Sequence, residues 1–331
     1  MSSTVTEPQE EAPVAKHERQ IRLQEYTLAF VIVALVIVGA LLRPGSFLSY
    51  ANLLNILTAA SVVGVIAIGM TFVIGTGGID LSVGSMTAAA SIAGGLLARS
   101  GVFGEAGGSI AFMLGAIGFA LLLGLINATA ITVGRVVPFI ATLAMFTMAR
   151  GLALRMSSQQ PISVSTLDTV RYFGTGRVFG RVPVSVLVLL AVVALGWFLL
   201  NRTAFGRYVV AVGGNAEAAR IAGIRIQWVR FRVYLLSALC VGISSILLSG
   251  RLASASPVVG NLYELDAIAA VVIGGTALSG GKATIIGTFL GVVTFQLIFN
   301  LLNLLGLPAE LQQIVRGVII LLAVIAQRQR T

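Results

Sequence analysis

Cysteine and histidine occur once each in the 331 residues, and charge of either sign is scarce. Cys240 lies inside an apolar run, so neither a disulfide framework nor a thiolate metal site can form. His17 stands in a polar N-terminal stretch, which excludes zinc or di-metal chemistry and a histidine-based triad within the apolar body. Charged residues make up 10% of the chain, against about 25% in a soluble domain. With 57% hydrophobic residues and a mean hydropathy of +0.99, the polar surface is too small to cover the apolar content in water. Lipid must be the solvent. This excludes a soluble enzyme, a nucleic-acid-binding domain, a disordered chain and a disulfide scaffold. The excess of 22 basic over 12 acidic residues falls between apolar runs, so it reports orientation in a bilayer rather than affinity for nucleic acid.

What is present is a series of runs near the roughly 20 residues that a bilayer-crossing helix needs. They cover 26–42, 53–74, 82–98, 110–133, 137–156, 182–200, 229–250, 262–279, 283–305 and 308–326. The expected fold is all-α, a polytopic integral membrane bundle of about ten transmembrane helices. The third run is rich in Ala, Gly and Ser, and the eighth is short and starts acidic. Either reads equally as a broken or re-entrant helix, which leaves a count of eight open. Residues 1–25, with five Glu against Lys16, Arg19 and Arg22, read as a disordered polar tail, and 327–331 as a short C-terminal tail. The N-terminal stretch is too long and acidic for a signal peptide, so the first run is expected to remain as an uncleaved span. With both termini in the cytoplasm, inner segments hold 13 Lys and Arg and outer segments 7. The positive-inside rule favours that arrangement.

Two glycine-rich stretches imitate nucleotide sites. In Gly275–Ala283, Thr276 stands where a phosphate loop needs Gly, and Ala283 where it needs Ser or Thr for magnesium. Gly75–Asp80 puts Asp at the third glycine of a dinucleotide fingerprint. No catalytic site, cofactor or metal is expected. Val73-Ile74-Gly75 with Leu81–Gly84 echoes Val272-Ile273-Gly274 with Leu278–Gly281, and Arg150-Gly151 echoes Arg316-Gly317. An internal repeat of the kind transporters use and chance matching explain these echoes equally well.

Three segments carry chemistry. Gly75, Gly77 and Gly78 break the second run, and Asp80 is placed to N-cap a helix starting at Leu81. The segment is either a capped turn or a flexible polar break lining a pathway through Gly77, Gly78, Asp80 and Ser82. Further on, Asn215 is a good N-cap and Gly223 a good stop, with Glu217 and Arg220 placed as the helix dipole prefers. That short Ala-rich helix reads as an ordinary surface loop or as an element that docks on a partner. Ser165 and Asp168 have capping-box spacing, predicting a short helix to Tyr172 in the outer loop.

On Gly77–Ser85, on the Gly206–Gly223 loop, and on Tyr263–Thr276 with Gly280-Gly281-Lys282, the chain resembles the membrane permease subunit of ribose/xylose/galactose-type ABC sugar importers. The resemblance covers nearly everything after residue 26. It departs at Ala283, where relatives often place a further Gly. It implies a type II-like ABC importer permease in the bacterial plasma membrane, with residues 26–326 as the permease domain. The permease would work in a pair, as homodimer or heterodimer, beside an ABC ATPase subunit, with an extracytoplasmic sugar-binding protein delivering a monosaccharide. The cytoplasmic segment 201–228 would then couple to the ATPase through Arg207, Asn215, Glu217, Ala218, Ala219, Arg220 and Gly223.

Polar groups within lipid are expensive. Arg150, Glu264, Asp266, Arg316 and Glu310 are expected near the outer face, either as a gate or with each arginine reaching head groups independently. Asn127, Gln296, Asn300 and Asn303 either line a pathway or bond between helices. A proton- or sodium-driven transporter would need a titratable relay inside the membrane, and the acids lie near run ends instead. An ABC permease for a nucleoside, an inositol or a branched-chain amino acid shares the same architecture.

Overall fold

The computed structural model describes residues 13–104 and 107–328. The described chain is helical almost throughout, with α1 (Pro13–Leu42), α2 (Tyr50–Gly75), α3 (Val83–Arg99), α4 (Gly108–Thr132), α5 (Pro138–Met156), α6 (Asp168–Thr175), α7 (Val184–Arg202), α8 (Ala204–Gly214), α9 (Ala216–Ile221), α10 (Ile226–Leu252), α11 (Tyr263–Ile273), α12 (Ile285–Leu304) and α13 (Ala309–Arg328). Four two-residue strands complete it: β1 (Ile162–Ser163), β2 (Arg177–Val178), β3 (Val182–Pro183) and β4 (Ser254–Ala255). β1 pairs antiparallel with β4, Ile162 opposite Ala255, and β2 with β3, Arg177 opposite Pro183.

Each of the ten apolar runs contains a helix. Among the described residues, six helices, α2, α4, α5, α7, α10 and α12, are long and apolar enough to cross a membrane. The eighth run yields only α11, whose 11 residues rise about 16 Å, half of a hydrocarbon core of about 30 Å. Gly274 caps it, and Gly275 follows at φ +97°, a conformation that L side chains rarely adopt. The third run is an unbroken α3 of 17 residues. Part of the stretch expected as a tail is helical. α1 already begins at Pro13, whereas residues 1–12 and 329–331 lie outside the described residues.

Helix starts follow local capping chemistry. Ser49 accepts from the Asn52 N–H at 3.3 Å to open α2, Thr203 from Gly206 at 3.4 Å for α8, and Thr284 from Gly287 at 3.1 Å for α12. Pro138 occupies the first turn of α5, where its missing N–H costs nothing. α2 and α10 form the centre of the bundle. In their most apolar stretches 83% and 78% of residues are buried, against 28% in α5 and 33% in α4, so the latter two keep a broad apolar face exposed. Small residues permit the close crossings. A Cβ on Gly242 of α10 would stand 2.9 Å from the Ile117 Cα of α4, and one on Gly69 of α2 would stand 3.0 Å from the Ser237 Cα of α10.

The short helix expected after Ser165 is present but displaced. α6 starts at Asp168 and runs to Thr175, without a side-chain cap. Ser165, expected to cap it, instead meets the Ser163 hydroxyl at 2.9 Å.

Candidate functional site

Three glycine-rich segments meet at one point. α2 stops at Gly75, and the chain turns through Gly77 at φ +78° as the Gly77 N–H bonds Ile74 O at 2.8 Å and the Gly78 N–H bonds Val73 O at 3.1 Å. The segment after α11 comes alongside, and the Gly281 N–H donates to Gly75 O at 3.1 Å. The echoed motifs at 73–84 and 272–281 are therefore in direct backbone contact. Into their junction fits Gly213, the penultimate residue of α8. A Cβ there would overlap the Gly75 carbonyl oxygen and stand 2.5 Å from the Gly281 nitrogen.

α9 projects from this seat. Asn215 Oδ1 accepts from the Ala218 N–H at 2.9 Å, as the cap reading anticipates. Gly223, at φ +83°, terminates the turn, its N–H bonding Arg220 O at 3.0 Å while the Ile224 N–H bonds Ala219 O at 3.0 Å. Ala219 faces inward, whereas Arg207, Glu217, Ala218 and Arg220 are exposed. Arg220 grips Glu217 with Nη2 at 2.5 Å and Nε at 3.1 Å. That fork holds the Glu217 carboxyl below its ordinary pKa and raises the Arg220 guanidinium, so both stay charged at neutral pH.

A buried polar chain lies one turn further in. Asp80 Oδ1 accepts from the Ser82 N–H at 3.0 Å and the Ser82 hydroxyl at 2.5 Å, and Oδ2 accepts from the Ser237 hydroxyl of α10 at 3.2 Å. Asn127 of α4 donates to Ser82 Oγ at 2.9 Å. The sequence expectation of a simple N-cap needs correction here. α3 begins at Val83, with Ser82 in the cap position and making no side-chain cap bond. Asp80 does collect the local N–H, but it also ties the break to α10, and through Ser82 to α4. The Tyr234 hydroxyl, buried beside Gly78, has no hydrogen-bond partner among the described residues.

Of the charged residues expected to cluster, only Arg316 and Asp266 form a close pair among the described residues. Arg316 Nε of α13 lies 2.7 Å from Asp266 Oδ1 of α11, close as an ion pair although the N–H is not aimed along the contact. The Arg316 guanidinium also covers the Phe299 ring at 4.9 Å. Arg150 of α5 instead uses Nη1 to hold two loop carbonyls, Pro257 O at 2.5 Å and Val259 O at 3.0 Å. That grip draws the 256–262 segment inward, where Gly260 packs on Gly84 and the buried Glu264 Oε2 rests against Gly84 without a hydrogen bond. Glu310 stays exposed on the first turn of α13.

The asparagines divide. Asn127 belongs to the polar chain. Asn300 of α12 forms a reciprocal amide pair with Asn52 of α2 at 2.9 and 2.7 Å, and Asn52 also donates to Phe47 O at 2.8 Å, so both link helices. Asn303 accepts from Gln312 at 2.9 Å. Ser237, Tyr234 and Asn52 were missed from sequence. Each is an isolated polar residue in or beside an apolar run, and only the partner's position gives it meaning.

Helices of membrane-crossing length among the described residues, with glycine turns meeting beside a short capped helix, mark a multi-pass helical membrane protein. The fold is similar to that of a metal-chelate-type ABC transporter solved in an inward-facing conformation, at TM-score 0.50 and 13% identity, over 84% of this chain and 89% of that one. Residues 52–324 match the family described as the permease component of the branched-chain amino acid transport system, and the chain belongs to that family. Similar relatives include a ribose import permease of Bacillus subtilis (strain 168), 44% identical over 298 residues, 90% of each chain. A ribose import permease of Escherichia coli (strain K12) is 39% identical over 93% of this chain and 95% of its own. A xylose transport system permease of the same strain is 31% identical over 92% of each.

Proposed function

We propose that this chain is the membrane permease subunit of an ATP-driven importer and passes a monosaccharide delivered by a substrate-binding protein. Full-length similarity to ribose and xylose permeases supports a sugar as cargo over an amino acid, despite the family's description. The reading takes about ten transmembrane helices, a multi-pass placement in the plasma membrane, both termini in the cytoplasm and a second permease alongside. The 201–228 segment couples to an ABC ATPase. The observation that carries it is the seat of α8 and α9. An exposed, charge-clamped helix follows α8 after Asn215, and α8 packs through Gly213 on the Gly75 end of α2 and on Gly281, so a push on α9 is passed to both. The polar chain through Asp80, Ser82 and Asn127 continues from that junction into the bundle, and Arg150, Glu264, Asp266 and Arg316 act at its other end as a gate.

Ala218→Pro tests this. Ala218 donates the N–H that Asn215 caps, and proline removes that donor. Ala218 lies in the first turn of α9, so the cost is that of the lost cap, about 0.5–2 kcal/mol, with Glu217 also pushed away from helical geometry by the proline after it, enough to unfold so short a helix. The variant is expected to reach the membrane and keep its fold, yet neither support uptake nor stimulate ATP hydrolysis by the partner. Normal uptake and stimulation would sink the coupling assignment.

A further inference from the structure

Between α7 and α10 runs a trough of 340 Å³ lined by apolar side chains, among them Leu195, Phe198, Leu236, Leu239 and Ile243. A second hollow, of 490 Å³, lies where α8, the end of α9 and the start of α10 meet, and Tyr208, Gly223, Arg225, Trp228 and Arg232 line it. On α10 the two share one face. Positions 225, 228, 232, 236, 239 and 243 recur every three or four residues, the spacing of a single helix side. From Arg232 to Ile243 the helix rises about 16 Å, the depth of one leaflet in a hydrocarbon core of about 30 Å.

The polar end has the character of a head-group site. Arg225 and Arg232 are exposed, and neither has a carboxylate partner among the described residues. Arg232 stacks over the Trp228 ring at 4.9 Å, which orients the guanidinium and leaves its N–H groups available. Trp and Tyr favour the head-group level of a bilayer, and guanidinium matches phosphate geometry. We propose that this face holds one phospholipid with an anionic head group, its acyl chains in the α7–α10 trough and its phosphate between Arg225 and Arg232. A soluble protein partner could reach the basic hollow but not the trough. Because Ala222 and Gly223 line the same hollow, the bound head group buttresses the C-terminal end of α9. The inference goes beyond the transport reading and needs only that the chain crosses a bilayer, in either orientation.

The test uses the full chain, purified from nanodiscs of equal phosphatidylglycerol and phosphatidylcholine, with retained lipids counted by native mass spectrometry. The unaltered protein should keep phosphatidylglycerol preferentially. The Arg225→Gln/Arg232→Gln double variant should lose that preference by up to about thirtyfold, as expected for two arginines at a membrane surface. Leu239→Trp, which fills the trough and leaves both arginines in place, should reduce retention of both lipids, and it carries the test if the double variant does not fold. Equal retention of the two lipids by the unaltered protein, or an unchanged preference in the double variant, overturns the proposal. So does full displacement by millimolar inorganic phosphate, which would make the site one for free phosphate. If the double variant keeps its lipid but loses the ATPase subunit, the hollow is a protein-docking surface and the lipid assignment is wrong.

Discussion

Replacing Gly213 by alanine opposes two effects of known size. Gly213 lies in α8, where alanine is favoured over glycine by about 1 kcal/mol. The added Cβ would overlap the Gly75 carbonyl oxygen and come within 2.5 Å of the Gly281 nitrogen. Both are backbone atoms, so no side chain can swing aside. The shift needed to relieve the overlap, over an ångström, also stretches the 3.1 Å Gly281-to-Gly75 hydrogen bond, worth about 0.5–1.5 kcal/mol. Overpacking of this kind costs about 1–3 kcal/mol, so the clash outweighs the helix gain. Gly213→Ala is therefore expected to lower thermal stability in detergent and to impair uptake. Gly214→Ala is the matched control. Its Cβ would meet only Gly281 Cα at 3.7 Å, an ordinary contact, so its stability should equal or slightly exceed that of the unaltered protein. If the two variants melt together and transport alike, the three segments do not pack as described and the rigid seat for α9 is wrong.

Asp80→Ala leaves the Ser82 N–H and the Ser237 hydroxyl without their acceptor in a buried site, a loss of about 1–3 kcal/mol. Asp80→Asn keeps one oxygen for Ser82 and turns an amide N–H towards Ser237, so it should fold nearly normally; a stable Asn variant without uptake would mean that the charge itself serves transport. On a Cys240→Ser background, a membrane-impermeant thiol reagent should label Asp168→Cys in intact cells and Glu217→Cys only after the inner face is opened, and the reverse pattern would invert the topology. A double-mutant cycle on Asn52→Ala and Asn300→Ala should give a coupling of about 0.5–1.5 kcal/mol, the range for hydrogen bonds between membrane helices. Additive losses would mean that the amide pair contributes nothing.

Much of the local structure was legible in the sequence. Each of the ten apolar runs contains a helix, the eighth only in part, and Asn215 and Gly223 bound α9 because cap and stop signals reside in adjacent residues. Boundaries fared worse where a side chain had a better partner elsewhere. Ser165 turned to Ser163 and left α6 to start three residues on, and Asp80 reached α10 while α3 began at Val83. The eighth run, open in sequence to a span or a broken helix, is the broken one: its composition continues past Ile273, but Gly274 and Gly275 end α11 there.

The lipid environment, the helical class and the capped helix beside the glycine breaks follow from contiguous residues, since run length, charge placement and capping act over a few positions of chain. Tertiary structure alone decided that Gly75, Gly213 and Gly281 share one contact, that Ser237 completes the Asp80 chain, that Asn52 answers Asn300, and that Arg150 holds loop carbonyls while Arg316 takes Asp266. The physical reason is the solvent. In water a helix marks its buried face by apolar periodicity. In a bilayer the lipid and the neighbouring helix are equally apolar, so the central α2 and the largely exposed α5 carry no pattern that says which side packs, and partners are chosen by close fit and by isolated polar groups that have nowhere else to bond.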